Sequence, residues 1–503
     1  MSLINYRITV ETVSGQEKFS GMAELSEGPL HISCEVPEGH LRDVEADMRL
    51  DIAESDRIFV NGYQTWTHSP EFAPGDVQRV FGKKLPKKLT HKFYLERYGD
   101  VFFRKYPETP GIFTGYSYCY VRTDDTFRLF ASLDEAPGYT VFTVDAASGK
   151  LMMERDCRGL NCKGALKAFD LFYAEGTENE VFDAWFKAMS IKARATEKLA
   201  GYTSWYNRYN KISEAELLSD LNGASGVLKP GDLFQIDDGW QAAVGDWLNV
   251  REDRFPSGLK AFTDQIHTRG FKAGLWLAPF GAQESSELVK QHPDWLLKPG
   301  GKPWAGGVNW GPFYALDIDK PEVTEYLEKV FRTVFDEWDF DLVKLDFLYA
   351  AAPYGTEQES RAGRMIRAMK LIRSWCGDKL VLGCGVPLMP AFGLVDYCRI
   401  GCDVGTDWDS TALMRMTHRE RVSTKNSIDD TTFRRQLSGR AFMNDPDVFF
   451  LRDENCKLTP EEKKTLYTAN ASYGGILLTS DDFNKWDDSK KTVYKEIRRI
   501  FGG

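Results

Sequence analysis

Over the first 175 residues, apolar and polar positions alternate in short runs, YRITVETV, PLHISCEV, DRIFVNGY, FRLFASL and YTVFTVDA, separated by frequent turn residues. Alternation with period two puts apolar side chains on one face of a strand, so this region is read as an antiparallel β-sandwich over residues 1–175. The period then changes. In TENEVFDAWFKAMSIKARA, Val181, Phe182, Trp185, Phe186 and Met189 fall at helical spacing and Thr177 stands where an N-cap is needed, which predicts a linking helix within 176–200.

From Gly201 onward, strand-like runs alternate with amphipathic stretches, the rhythm of a parallel sheet. Eight such runs can be counted: GYTSWY (201–206), DLFQID (232–237), FKAGLWL (271–277), LVKLDF (342–347), KLVLGCG (379–385), DYCRIG (396–401), AFMND (441–445) and YGGILLT (473–479). Helical stretches lie between them, such as SEAELLSDLNGAS after the first and KPEVTEYLEKVFRTVFDEW before the fourth. Eight βα units in about 300 residues predict a TIM (β/α)8 barrel over 201–503, with a doubly wound open sheet as the structural rival. Polar residues favour the barrel. Asp237 and Asp238, Asp346, Cys384, Asp403 and Asp445 fall at or just beyond the ends of five strands, whereas an open sheet concentrates its site at one switch point. The expected class is thus multidomain, an N-terminal antiparallel β-sandwich followed by an α/β TIM barrel.

A chain of 503 residues exceeds the roughly 250–300 at which a single core stops growing, which fits two domains. With 42% hydrophobic and 27% charged residues, it is neither a disordered nor a collagenous chain. Lys and Arg total 64 against 74 Asp and Glu, and the net charge of -10 opposes binding to nucleic acid or to anionic lipid. No stretch of about 18 consecutive apolar residues occurs, and MSLINYRITVETVSGQEKFSG lacks a signal-peptide core, so a cytoplasmic protein with no membrane partner is expected. The nine cysteines are sparse and odd in number, as free buried thiols would be. Without an HExxH pattern, a CxxC pair or a P-loop, no metal and no cofactor are expected.

The fourth run drives two charges into an apolar strand, with Lys344 and Asp346 on one face. They fit either a buried ion pair or a substrate-binding lysine beside a nucleophile. In the sixth run Tyr397, Arg399 and Gly401 alternate, and Asp403 follows four residues after Arg399, as a salt-bridged loop residue or as a second working carboxylate. Retaining glycoside hydrolysis needs two carboxyls about 5–5.5 Å apart, one ionised to attack C1 and one protonated to serve the leaving oxygen. Asp346 and Asp403 are the candidates. IDDGWQ at 236–241 supplies Asp237 and Asp238 to accept from sugar hydroxyls and Trp240 to cover an apolar sugar face, or else caps a helix at a turn. Seven of the 13 tryptophans, Trp205, Trp240, Trp247, Trp276, Trp295, Trp304 and Trp310, fall between 201 and 310, a density that favours a sugar cleft.

With these residues in hand, the second half resembles the α-galactosidase clan, in particular the glycoside hydrolase family 36 branch that includes bacterial α-galactosidases and raffinose synthases. IDDGWQ, LVKLDF and GCGVPLMPAFGLVDYCRIGCDV carry the likeness, with HPDWLL, YALDIDKPEV, MNDPDVFFLR and ILLTSDDF matching in order across roughly 201–485. The resemblance implies Asp346 as nucleophile and Asp403 as general acid/base, acting with retention on a small α-galactoside or oligosaccharide. It further implies Asp237, Asp238 and Lys344 as holders of the galactose hydroxyls, Arg399 and Trp408 as neighbours of the acid/base, and Cys384 as a thiol near the sugar or simply a buried one.

The family's large N-terminal sandwich also fits, and NGYQTW at 61–66 either lays Trp66 over the site's mouth or packs as an ordinary turn. Two departures stand out. About two dozen residues follow the eighth run, enough for a closing helix but not for the C-terminal β-domain of many members, and FLYAAAPYG follows the nucleophile where many bacterial relatives are polar. An α-galactosyl transglycosylase, an α-N-acetylgalactosaminidase and a non-catalytic carbohydrate-binding protein remain as alternatives, and a homo-oligomer is allowed.

Overall fold

In the N-terminal part of the computed structural model, which describes residues 2–80, 92–415 and 417–502, eleven antiparallel strands join into one hydrogen-bonded sheet. Each of the five sequence runs overlaps a strand: Ser2–Thr12, Gly28–Arg49, Arg57–Val60, Thr126–Ser132 and Thr140–Asp145. Period two acts on both faces. Ile58, Val60, Cys119, Val121 and Phe130 enter a core formed within the sheet, while their neighbours Phe59, Tyr118, Tyr120, Leu129 and Ala131 enter a second core shared with the helix and the parallel strands that follow. Burial on both sides explains why FRLFASL is almost continuously apolar. The pattern missed Gly15–Leu25, an outer strand whose residues are mostly exposed and so carry little apolar alternation.

Helix Glu178–Met189 begins in a capping box made by Thr177 and Glu180. It buries Val181, Phe182, Trp185 and Phe186, and its outer side is tied by Arg440 to Asp183 at 2.6 Å and by Arg435 to Glu178.

The second sheet is parallel throughout. Its strands are Leu199–Thr203, Leu233–Ile236, Lys272–Leu277, Leu342–Leu345, Leu380–Gly383, Tyr397–Arg399, Met443–Asp445, Val448–Phe449 and Ile476–Thr479. Each of the eight sequence runs contains or overlaps one of them. In lateral order the sheet starts on Met443–Asp445, passes through the sixth, fifth, fourth, third, second, first and last strands, and ends on Val448–Phe449. Its two ends are thus separated in the chain only by Pro446 and Asp447, and a helix follows every strand position, from Glu214–Ala224 to Asp488–Gly502. A small three-stranded antiparallel sheet, Gly281–Gln283, Ala305–Gly307 and Phe313–Ala315, fills the long connection after the third strand. Among the described residues no helix is long and apolar enough to cross a membrane, and all nine cysteines are free.

The N-terminal segment 61–69 is fastened onto the parallel sheet by buried hydrogen bonds. The fully buried Arg434 donates to Asn61 Oδ1 (3.0 Å), the carbonyls of Thr65 (2.9 Å) and Ile400 (2.6 Å), and Ser69 Oγ (2.8 Å). Thr65 pairs with the turn after the fifth strand, its N–H reaching Val386 O at 3.0 Å and its Oγ accepting from Gly385 N at 2.9 Å. Gly385 has φ +59, and a Cβ there would stand 2.9 Å from the Trp66 ring and 3.0 Å from Phe347 N, so only glycine lets the segment close. Replacing Arg434 by Met would strand several buried acceptors. Arg434→Met is expected to cost about 3–5 kcal/mol, read as a fall in the urea midpoint; a loss below about 1 kcal/mol would mean that the segment is held by other contacts.

Candidate active site

A cavity of about 360 Å³ opens at the C-terminal ends of the parallel strands, within the usual range for a small-molecule site. The fourth strand ends at Leu345, and the next residue, Asp346, turns its carboxylate into this space. Oδ1 accepts from the Phe347 N–H at 3.0 Å and Oδ2 from Trp276 Nε1 at 3.1 Å. Phe347 adopts φ +53, a conformation that branched or bulky residues rarely hold, and this sharp exit from the strand aims both side chains at the cavity. Burial pushes the Asp346 carboxyl above the usual range, Lys344 opposes that, and the charge of Asp403 adds to it.

Asp403 belongs to the loop after the sixth strand. Arg399, the last residue of that strand, donates from Nη1 to Asp403 Oδ1 at 2.8 Å, from Nε to Asp445 Oδ2 at 3.2 Å and from Nη2 to Asp447 Oδ1 at 2.8 Å. One buried guanidinium therefore serves three carboxylates. Asp403 exposes 41% of its side chain, but into a cleft walled by protein. There, desolvation raises its carboxyl, Arg399 pulls it down, and the charge of Asp447 raises it again, leaving it above the usual range.

The ion pair that forms around Lys344 is with Asp237, Nζ to Oδ2 at 2.8 Å, and no direct Lys344–Asp346 bond forms. Burial disfavours the ammonium, but Asp237 and more weakly Asp346 hold it well above its ordinary value, so it stays charged. Gln235 Nε2 shares Asp237 Oδ2 at 2.9 Å. Beside it, Asp238 accepts from Gln241 Nε2 at 2.6 Å and from Trp310 Nε1 at 2.7 Å; burial still lifts its carboxyl above the usual range.

The structure thus brings together Trp66, Asp237, Asp238, Lys344, Asp346, Arg399 and Asp403 around one cavity. Trp66 sits edge-on to Phe347, with ring centroids 5.1 Å apart. Three other expected residues stand outside this lining. Trp240 is fully buried behind the site, its Nε1 donating to Trp276 O at 3.0 Å and its ring packed against Trp247 and Trp338, because the residue after Gly239 turns inward to the core. Trp408 does not line the cavity either; it lies past the turn after Asp403, half-buried against the core. Cys384 is a buried thiol next to the cavity, its sulfur accepting from Trp66 Nε1 at 3.2 Å and its thiol hydrogen-bonding the Asp346 carboxylate.

The aromatic surfaces that do face the cavity include Trp205, Tyr206, Trp276, Trp310 and Phe347, together with Tyr98 stacked on His418 at 5.5 Å. Tyr206, at the end of the first run, could have been found by the strand-end rule. Tyr98 and His418 carry no such signal, since they come from loops remote in sequence.

A larger cleft of about 920 Å³ lies between the N-terminal sheet and residues 354–361. Its lining carboxylates Asp43, Glu154 and Asp156 are committed to arginines of the same lining, Arg158, Arg104 and Arg361 respectively. Among the described residues, the group able to gather round a cation is Asp264, His267 and Asp339; none of the three lines either cavity, and Lys260 already pairs with both aspartates.

The melibiase family model matches residues 199–369. The chain is 32% identical over 152 residues to α-galactosidase Mel36A of Lactobacillus acidophilus, covering 28% of this chain and 20% of that protein. It is 28% identical over 238 residues to the probable α-galactosidase C of Aspergillus flavus, covering 42% of this chain and 30% of that one. These matched segments span less than a third of the relatives' own lengths. Among solved structures, the α-galactosidase TtGalA of Thermus thermophilus, in complex with p-nitrophenyl α-D-galactopyranoside, superposes with a TM-score of 0.75 at 28% identity, over 93% of this chain and 94% of that one. The family 36 α-galactosidase AgaA of Geobacillus stearothermophilus shares the fold at a TM-score of 0.60 and 13% identity, over 97% of this chain and 67% of that one.

The buried Lys344–Asp237 pair yields a direct test. Lys344→Met leaves Asp237 without its cation, and the expected cost is about 3–5 kcal/mol of unfolding free energy at neutral pH. A melting temperature equal to the parent's would contradict this pairing.

Proposed function

We propose that this chain, whose residues 199–369 carry a melibiase domain, is an α-galactosidase that releases terminal α-linked galactose with retention of configuration. The observation that carries the reading is the convergence of Asp346 and Asp403, from separate strands, on one cavity that also holds Asp237, Asp238 and Lys344. Two of the similar structures support the substrate class, since TtGalA is described in complex with p-nitrophenyl α-D-galactopyranoside and with stachyose.

In this reading residues 201–503 form a (β/α)8 barrel, supported by the strand order that begins and ends on either side of Pro446–Asp447. Residues 1–175 form a sandwich domain, supported by the core enclosed between its own strands, and residues 176–200 link the two.

Asp346 is the nucleophile. Its oxygens are already oriented by the Phe347 N–H and the Trp276 indole, and the nearby Lys344 cation favours the ionised form. Asp403 is the acid/base: its proton passes to the glycosidic oxygen as Asp346 bonds to C1 and the C1–O bond breaks. In the second half it takes a proton from the water that attacks C1, and Asp346 leaves as a free carboxylate. Asp238 and the Lys344–Asp237 pair supply acceptors and a donor to galactose hydroxyls, and Trp66, Trp310 and Phe347 offer apolar surface to the ring.

The first assay is release of nitrophenol from p-nitrophenyl α-D-galactoside, with the β-galactoside, α-glucoside and α-N-acetylgalactosaminide in parallel. Selective turnover of the first is expected, and proton NMR should show α-galactose as the initial anomer. Asp346→Asn is expected to lower kcat by at least about 10³-fold while the protein stays folded. Near-parental turnover by that variant would sink the assignment.

The pH profile of kcat/KM should be bell-shaped. Activity requires Asp346 ionised, so the acid limb rises as Asp346 loses its proton, and with that carboxyl raised by burial the limb should lie above about pH 4. Activity also requires Asp403 protonated, so the alkaline limb falls as Asp403 deprotonates, again above the usual carboxylate range. A flat profile between pH 3 and pH 9 would count against both roles.

A further inference from the structure

The segment MNDPDVFF carries a residue to which the proposed reaction gives no part. The seventh strand position is split, ending at Asp445 and resuming at Val448, and between the halves Asp447 adopts φ +70. A non-glycine residue rarely holds this conformation, and the surroundings fix it here: the Asp447 N–H donates to Asp445 Oδ1 at 2.9 Å and its carbonyl accepts from Asn470 Nδ2 at 3.3 Å. The break swings a 2% exposed carboxylate into the C-terminal mouth, where it meets three donors. Oδ2 accepts from the Val404 N–H at 2.8 Å and from Tyr206 OH at 2.6 Å, and Oδ1 accepts from Arg399 Nη2 at 2.8 Å.

Two of these donors lead to Asp403. Val404 is the next residue, so its peptide N–H fixes the backbone that carries Asp403. Arg399 uses its other terminal nitrogen, Nη1, to hold Asp403 Oδ1. We propose that Asp447 is a positioning residue for Asp403, gripping it through the Val404 peptide and through Arg399, and that its charge sets the pH at which Asp403 gives up its proton. This rests on the reading of Asp403 as acid/base.

The electrostatics agree with the geometry. Asp403 is faced by Arg399 from the end of the sixth strand, by Asp447 from the split strand, by Lys344 and Asp346 from the fourth strand, by Tyr206 after the first, by Cys384 after the fifth, and by Cys402 beside it, while Asp445 meets it only through Arg399. Asp447 itself is faced by Arg399, Asp445, Tyr206 and Lys344. The Arg399 charge is shared among three carboxylates, so a negative Asp447 draws on the cation that would otherwise stabilise ionised Asp403. Removing that charge leaves more of Arg399 to Asp403, which then releases its proton at lower pH.

The test is Asp447→Asn, nearly isosteric and uncharged. Expected is a downward move of the alkaline limb of kcat/KM by about one pH unit, a kcat lowered about tenfold or more near the parental optimum, and a KM within about threefold of the parent. The loss should be larger for a poor alkyl leaving group than for an activated aryl one, because only the former needs the proton. A second readout uses no turnover. Carbon-13 titration of the Asp403 carboxyl in the substrate-free protein, assigned with Asp403→Asn, should show the same downward shift.

An unchanged limb and an unchanged Asp403 midpoint in a folded Asp447→Asn protein overturn the proposal. If that variant does not fold, Tyr206→Phe replaces it. This removes one of the three donors to Asp447, so the still ionised carboxylate draws harder on Arg399 and the Asp403 midpoint should move upward by a smaller amount; no movement overturns the proposal equally. If the parent turns over no α-galactoside, the functional reading fails by itself, while the titration still decides whether Asp447 governs Asp403.

Discussion

Two cations, Lys344 and Arg399, buried in the mouth of a parallel sheet, are the constraint on which the rest of this molecule depends. Around them lie Asp237, Asp238, Asp346, Asp403, Asp445 and Asp447, more carboxylates than the cations can neutralise. Such a cluster is costly to bury, and it persists because each group has defined partners: Asp237 has Lys344 and Gln235, Asp238 has Gln241 and Trp310, and Asp447 has Arg399, Tyr206 and the Val404 peptide. The carboxyls of Asp238, Asp346, Asp403 and Asp447 are all lifted by burial. An excess of acid around two cations favours keeping one carboxyl protonated beside another that is ionised, which is the state the proposed reaction requires.

Backbone strain is placed where it orients these groups. Phe347 and Asp447 both have positive φ, and both stand immediately beyond parallel strand segments at the same end of the sheet. Regular strand geometry would have sent the Asp346 and Asp447 carboxylates along the pleat. The irregular exits turn Asp346 into the cavity and Asp447 onto Arg399, Tyr206 and the Val404 peptide beside it, and the cost is borne by hydrogen bonds to neighbouring strands, as with Asp346 N to Leu277 O at 2.8 Å.

The N-terminal sheet contributes structure to the same site. Arg434 and the Gly385 turn bring Thr65 and Trp66 against the fifth strand, and the Trp66 ring closes on Phe347 while its N–H is satisfied by the Cys384 sulfur. Loss of this docking would expose an apolar wall of the cavity to water. The two sheets therefore act as one unit at the mouth, and stability of the segment 61–69 and shape of the site are coupled through the same buried arginine.

How much of this was legible in the sequence follows from what is local. The eight parallel runs could be read because apolar segments of fixed length alternate with amphipathic helices, and the Thr177–Glu180 cap because its partners are three residues apart. The outer strand Gly15–Leu25 was illegible because solvent on its faces removes the apolar alternation. Strand ends also told where Asp237, Asp346 and Asp403 would project. Pairing was beyond reach: Lys344 shares a strand with Asp346 yet bonds Asp237, 107 residues away, and Trp240, adjacent to the Asp237–Gly239 motif, turns into the core while the distant Trp310 reaches Asp238. The sequence by itself determined which strand-end residues, Asp237, Asp346 and Asp403 among them, stand at the mouth of the sheet, because strand length and period are properties of neighbouring residues. Only the tertiary structure decided which cation neutralises which carboxylate, because those distances are set by strand order and by the packing of side chains far apart in the chain.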